Sequence, residues 1–249
     1  MPKTNNSIRS ANNKKGKLYL LPSVLGEESE ITAVISEFTQ NIIKNLRVFI
    51  VEELRTARRF LKRTDKNINI DELEFLIFNE HTLKENISQF MEPLLKGKNV
   101  GLLSEAGLPC IADPGAEIVA EAHRQDIEVV PLTGPSSLFL ALIASGFNGQ
   151  NFTFHGYLPV DKNLRAKKVR QLELQSQQYK QTQIFIETPY RNHQMIQTIL
   201  ENCGDETMFC VAADLTLPSQ KIISLPVRLW KKITFDLQKH PAVFLLYIP

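Results

Sequence analysis

Short apolar runs alternate with amphipathic stretches along most of the chain. Runs at 18–21, 47–51, 73–78, 100–103 and 127–131 have the length and composition of buried strands. Between them lie segments with helical spacing: 27–43, a basic stretch from Arg55 to Lys66, and 82–95, which Lys96-Gly97 stops. A further helix starts at Asp113-Pro114-Gly115, with Asp113 read as its acidic N-cap, and carries Ile118, Val119 and Ala122 on one face. Strict alternation of strand and helix predicts a parallel sheet with right-handed crossovers.

The second half keeps the alternation but loosens it. A helix at 135–144 ends at Ser145-Gly146, and a strand at 152–155 is broken by Gly156-Tyr157-Leu158-Pro159. A polar helix (162–179), a strand (183–186) and a helix (192–202) follow, and then strands at 208–213, 221–225 and 242–248. The stretch 227–239 shows no decisive period. Consecutive strands near the end predict a mixed sheet. Asn148-Gly149-Gln150-Asn151 reads either as a domain boundary or as a tight surface turn.

Composition narrows this picture. The 249 residues allow one large or two medium domains, and a net charge of +2 means that any basic surface must be local. The three cysteines, Cys110, Cys203 and Cys210, lack paired or metal-ligand spacing and read as free buried thiols, which suits a reducing cytoplasm. Residues 1–16 are rich in Asn, Ser and Lys and have no apolar centre, so they read as a disordered tail rather than a signal peptide or anchor. No apolar run reaches the ~20 residues that span a bilayer.

Candidate chemistry collects at strand ends. Ser104-Glu105-Ala106-Gly107-Leu108-Pro109 and Thr133-Gly134-Pro135-Ser136-Ser137 are loops of the kind that line the ligand crevice of an open α/β sheet. GxGxxG, Walker A, HExxH and GxSxG are all missing, and the five histidines show no metal-ligand spacing. What remains is a set of carboxylates, Glu52, Glu80, Glu105, Asp113 and Glu187. Such groups hold ribose hydroxyls or a cationic ligand, or act as bases; taken singly, each is more often a loop cap or a solvated charge, and the Gly/Pro loops single out Glu105 and Asp113.

These residues carry a resemblance. Leu103-Ser104-Glu105-Ala106-Gly107-Leu108-Pro109-Cys110-Ile111-Ala112-Asp113-Pro114-Gly115, followed by Val130-Pro131-Leu132-Thr133-Gly134-Pro135-Ser136, is similar to V-S-D-A-G-x-P-x-I-x-D-P-G and V-x-P-x-P-G-P-S/C. Those patterns belong to the tetrapyrrole methylase superfamily of S-adenosylmethionine-dependent methyltransferases, in the branch that 2′-O-methylates a cytidine of small-subunit ribosomal RNA. The likeness extends over nearly the whole chain beyond the tail. Leu18 to Pro22 resembles the first strand, Glu52-Glu53-Leu54-Arg55 resembles E-D-T-R, and Asn79-Glu80-His81 resembles H-D-H. Phe154 to Pro159 resembles E-G-F-L-P, and Ile184 to Arg191 resembles I-F-Y-E-S/A-P-H-R.

The resemblance implies two α/β domains, here 17–133 and 134–249, with S-adenosylmethionine in the cleft between them, no metal, and a homodimer. On the cofactor side it implies Pro22, Ser104, Glu105, Ala106, Gly107, Asp113, Thr133, Gly134, Ser136, Ser137 and Ala212. On the acceptor side it implies Glu52, Arg55, Glu187 and Arg191, for which a salt-bridge network between loops is the competing reading. Three departures bear on the acceptor. P-I-G-N is replaced by Val24-Leu25-Gly26-Glu27; the Arg and Lys of A-R-E-L-T-K become Ala213 and Leu217; and the Asp of S-D-A-G becomes Glu105. Loss of two cations removes phosphate contacts. The basic helices holding Arg55 to Lys66, and Lys162, Arg165, Lys167, Lys168 and Arg170, are RNA-facing surfaces or solvated faces. Three functions stay open at this level: an RNA 2′-O-methyltransferase acting on the small ribosomal subunit, a methyltransferase for a small molecule such as a tetrapyrrole precursor, and a non-catalytic cofactor-binding module.

Overall fold

A computed structural model of the chain describes residues 14–79, 81–82, 84–237 and 239–249. Most of the predicted tail (residues 1–13) and the candidate carboxylate Glu80 lie outside the described residues. The described end of the tail is tied down, since the Gly16 N–H donates to the Leu94 carbonyl at 2.8 Å.

Two compact units divide the chain. One comprises the chain up to Ser23 together with Ile31–Gly134, and the other comprises Val24–Glu30 and Pro135–Pro249. The first unit is built on a parallel sheet of β1 (Leu18–Leu21), β2 (Val48–Val51), β3 (Glu74–Ile77), β4 (Val100–Leu103) and β5 (Val129–Pro131). Their spatial order is β3-β2-β4-β1-β5, all parallel. β2 and β4 are buried at every position, which is why they read as unbroken apolar runs.

Helices of this unit are α1 (Ile31–Val34), α2 (Glu37–Asn45), α3 (Leu54–Thr64), α4 (Glu92–Leu95) and α5 (Gly115–Arg124). Three helical expectations need correction. The single helix expected at 27–43 is broken because Ser36 is extended and caps α2 by accepting from the Thr39 N–H. The helix expected at 82–95 is a 3-10 stretch, Lys84–Met91, that becomes α-helical only where Glu92 and Pro93 open α4. Asp113 is not the N-cap of α5; Pro114 holds that position. Leu18, Val48, Ile50, Val100 and Leu102 pack with Ile118 and Ala122 of α5 and with Phe90, Met91 and Leu94.

The second unit carries a mixed sheet of β6 (Phe152–Tyr157), β7 (Thr182–Glu187), β8 (Met208–Ala213), β9 (Lys221–Pro226) and β10 (Ala242–Tyr247). The order is β6-β7-β10-β8-β9; the β6–β7 pairing is parallel and the other three pairings are antiparallel. Expected to stop at His155, β6 instead runs through Gly156, whose φ of +64° absorbs a register shift between Phe154 and Tyr157. Alternate residues serve opposite faces. Phe185, Phe209, Val211 and Phe244 join one core with residues of α7 (Lys162–Tyr179), α8 (Asn192–Asn202) and α9 (Val227–Trp230). Ile184, Cys210, Ala212, Val243 and Leu245 join another with α6 (Ser137–Ser145). Phe185, Phe244 and Phe209 stack across three strands at 5.8 and 6.3 Å, and the Trp230 indole donates to the Phe209 carbonyl at 2.8 Å. Residues 148–151 form a surface turn inside this unit, where Asn148 and Asn151 side-chain amides donate to the carbonyls of Lys180 and Tyr179. The open stretch 227–239 resolves into α9 followed by turns.

Candidate methyl-donor and acceptor sites

In the first sheet β4 and β5 flank β1, so the loops after all three strands emerge side by side at the carboxyl edge. Pro22 and Ser23 follow β1, Ser104 to Gly107 follow β4, and Thr133 and Gly134 come after β5. The backbone ties them together. The Ser23 N–H donates to the Gly107 carbonyl at 2.8 Å, and the Thr39 hydroxyl donates to the Thr133 carbonyl at 3.3 Å. A Cβ on Gly134 would sit 2.1 Å from the Pro22 Cβ, so only glycine permits this approach.

The loop after β4 is the most contorted part of the described chain. Gly107, Cys110 and Ala112 all have positive φ, +73°, +70° and +59°, and left-handed backbone at residues with a Cβ clusters at functional sites. Asp113 holds this shape: its carboxylate accepts from the Cys110 N–H at 2.9 Å and from the Gly115 N–H at 2.7 Å. Burial raises its pKa, and those two amides pull against the rise. Asp113 is therefore engaged by its own loop. Burial likewise pushes the Cys110 thiol up to about 11 and the Cys210 thiol to about 12, and raises Cys203, so burial favours the protonated form of all three free thiols.

A shallow, open hollow lies against this loop, lined by Val51, Glu52, Phe78, Leu102, Leu103, Ser104, Pro109, Asp113, Pro114 and Gly115. The Ser104 hydroxyl is buried and has no hydrogen-bond partner among the described residues. Such an atom costs about 1–3 kcal/mol unless something satisfies it. Glu105 and Ala106 are exposed, and Glu105 accepts from the Thr56 hydroxyl at 3.3 Å, joining the loop to the first turn of α3. Arg55 is exposed in that same turn.

The other candidate residues belong to the second unit. Glu187 ends β7, in register with Ala242 of β10, which is in turn paired with Ala213 of β8. Its side chain is fully buried; one oxygen accepts from Arg191 Nε at 2.9 Å, Arg191 Nη2 at 2.5 Å and the Thr188 N–H at 2.7 Å. The other oxygen has no partner among the described residues, and neither does Oδ1 of the buried Asn192 side chain. Ser136 and Ser137 open α6 and are half-buried. Ala212 lies inside β8 with its side chain in the core.

Nothing in the sequence marked the cluster beside Glu187. Asp214, just past β8 and buried, accepts from the Ser219 hydroxyl and pairs with His240 Nδ1, both at 2.7 Å. The Asn192 amide donates to the His240 carbonyl at 2.7 Å. Their chain separations are too long for any local pattern to reveal them. The two altered loops also meet within this unit. A Cβ on Gly26 would touch the Leu217 side chain at 2.9 Å, and the Ser29 and Thr216 hydroxyls are 2.9 Å apart.

A family profile described as Tetrapyrrole (Corrin/Porphyrin) Methylases matches residues 29–229. The chain belongs to this family. As a tetrapyrrole methylase family member it is a methyltransferase, and its curated relatives agree. It is 33% identical over 206 residues to ribosomal RNA small subunit methyltransferase I of Thermotoga maritima, covering 81% of this chain and 84% of that one. It is 29% identical over 210 residues to the Vibrio cholerae protein of the same name, covering 84% and 68%. Among solved structures it is similar to the methyltransferase CobJ, with a TM-score of 0.62 and 16% identity over 93% of this chain and 94% of that one. Cobalt precorrin-4 methyltransferase, CbiF, has a TM-score of 0.59 at 16% identity, with the same coverage. These two likenesses concern the fold of this family member, two α/β units with one parallel and one mixed sheet.

Among the described residues no group of His, Cys, Asp and Glu is arranged to hold a metal ion. No helix among them is long and apolar enough to cross a membrane.

Proposed function

We propose that this chain transfers a methyl group from S-adenosylmethionine to a ribose 2′-hydroxyl of small-subunit ribosomal RNA. The observation that carries this reading is the similarity, over about four fifths of the chain, to proteins named ribosomal RNA small subunit methyltransferase I. S-adenosylmethionine supplies an electrophilic methyl on a sulfonium, so the chain's task is mainly to position the acceptor in line with it.

The first unit fits the donor. Ser104 offers a buried hydroxyl with no partner among the described residues, and Gly107 and Gly134 let the loops after β1, β4 and β5 draw together. Glu105 is an exposed carboxylate for ribose hydroxyls or an ammonium, while Asp113 keeps the loop in shape. Pro22, Ala106 and Thr133 complete this wall, and within the second unit we assign Ser136, Ser137 and Ala212 to the same cofactor. On the acceptor side we assign Glu52 and Arg55 after β2, and Glu187 and Arg191 after β7. We further infer a homodimer: α6 is apolar nearly all round yet exposes Phe139 and Ile143, with Phe152 packed edge-on against Phe139, and a helix of that composition is normally covered. The free, protonated thiols suit a cytoplasmic protein.

Labelled methyl incorporation into small ribosomal subunits from a strain lacking the gene tests the reading. The labelled nucleotide should resist alkaline cleavage on its 3′ side, as a 2′-O-methyl group dictates. Calorimetric binding of S-adenosylmethionine with no incorporation into subunits or free RNA would remove RNA as the acceptor. Absence of binding would overturn the assignment of S-adenosylmethionine as the donor.

A further inference from the structure

We propose that the outward face of α3 is the surface on which the RNA acceptor's phosphates rest, an inference that itself depends on RNA being the acceptor. The helix is about 16 Å long and strongly two-sided. Ala57, Phe60, Leu61 and Thr64 are buried, while Arg55, Arg58, Arg59, Lys62 and Arg63 are exposed, and the helix contains no acidic residue. Lys66, just beyond its end, is also exposed. The acids at its two ends already have partners: Glu53 caps the helix N-terminus through the Thr56 N–H at 2.8 Å, and Asp65 sits 3.4 Å from Lys44. In a chain of net charge +2, this is a local positive field.

Three observations point to RNA phosphate rather than to solvent or a membrane. First, the helix begins at the donor loop, since Thr56 in its first turn donates to Glu105 at 3.3 Å. A strand whose reacting ribose lies at that loop would have its flanking backbone led along the cationic face. Second, Arg58 lies over the Phe75 ring, 5.6 Å from its centroid, which holds a planar guanidinium in place for phosphate oxygens. Third, the outward face of α3 bears no exposed large apolar residue of the kind a membrane-surface helix inserts among lipids.

The other basic helix is a contrast. In α7, Arg165 is buried and donates to the Thr198 hydroxyl at 3.1 Å and the Val160 carbonyl at 2.8 Å. Arg170 donates to the Asn202 side chain, and Lys162 lies 3.9 Å from Glu201. Arg165 thus serves the packing of its own unit, whereas Arg58 and Lys62 are exposed on a helix packed through its other side.

The test is fluorescence anisotropy of a labelled small-subunit ribosomal RNA fragment over a salt series. The R58Q/K62Q/K66Q chain should bind about tenfold more weakly at low salt, with a log–log salt slope shallower by roughly 2. K62R/K66R, which keeps both charges and leaves Arg58 on Phe75, should stay within about twofold of the unaltered chain. On α7, K167Q/K168Q should leave the RNA affinity unchanged. S-adenosylhomocysteine titrated into each variant by calorimetry reports whether the first unit is intact. K66Q, which lies outside the helix, extends the test to a chain whose α3 is unaltered. Unchanged RNA affinity and slope in the triple variant, or equal weakening by the α7 pair, would overturn the α3 surface. If the unaltered chain methylates RNA while the triple variant binds normally, the surface falls alone. Should the unaltered chain neither bind nor methylate RNA, the reading of the acceptor falls and takes the surface with it.

Discussion

The two units prepare their candidate sites with different materials. In the first, backbone does the work: loops from β1, β4 and β5 are drawn together by a main-chain hydrogen bond, by glycine at 134 and by left-handed residues on either side of Leu108-Pro109. In the second, side chains do it, through a buried carboxylate clamped by Arg191 and an aspartate gripped by Ser219 and His240. Backbone sites resist added atoms, and side-chain sites resist removed charges. The comparison therefore predicts opposite sensitivities.

Removing a charge from the second unit should have the largest effect. Arg191→Ala leaves the fully buried Glu187 carboxylate without its cation and should cost about 3 kcal/mol in urea unfolding. Glu187→Gln combined with Arg191→Ala should recover part of that loss. If R191A alone unfolds like the unaltered chain, the pair is not what closes this end of the sheet.

Adding one methyl to the first unit comes next. Gly134→Ala forces a contact with Pro22 and should cost about 1–3 kcal/mol, with loss of S-adenosylmethionine binding by calorimetry. Gly149→Ala, where nothing lies within 4 Å, is the matched control and should stay within about 0.5 kcal/mol. Equal behaviour of the two variants would contradict the close approach of the β1 and β5 loops.

The smallest effect is on the α3 cap. Backbone N–H groups of Arg55 and Thr56 lower the Glu53 pKa. Because the folded value lies below the unfolded one, the capping stabilisation is present above the ordinary carboxylate pKa and is lost as pH falls through the lowered value. Hydrogen exchange at the Thr56 amide should accelerate relative to its intrinsic rate in that acid window, and Glu53→Gln should abolish the pH dependence. Asp113, raised by burial, has the reverse sign, so acid should not loosen its loop in the same way.

Much of the architecture was legible locally. Apolar runs with no polar interruption announced β2 and β4, and closely spaced strands after Cys203 announced the mixed sheet. Errors came where side chains redirect the backbone. Ser36 split a helix that periodicity alone made continuous, and Asp113 turned from helix cap to loop staple because it bonds backward to Cys110 as well as forward to Gly115. Of the candidate site, the glycine-rich loops after β4 and β5 were readable because their residues are consecutive. The His240–Asp214–Asn192 cluster was not, since it is assembled from the turn before β10, the end of β8 and the start of α8.

The sequence by itself determined the alternation of elements, the family and the loops on which the methyl-donor reading rests, because each depends on residues near one another in the chain. Only the tertiary structure decided which charges are available to a partner. Arg58 and Arg165 look alike in a string of letters. One lies exposed over an aromatic ring, and the other is buried in hydrogen bonds to Thr198 and Val160. The reason is physical: whether a cation faces water or serves the fold depends on what packs against its helix, and that partner is chosen by the whole chain.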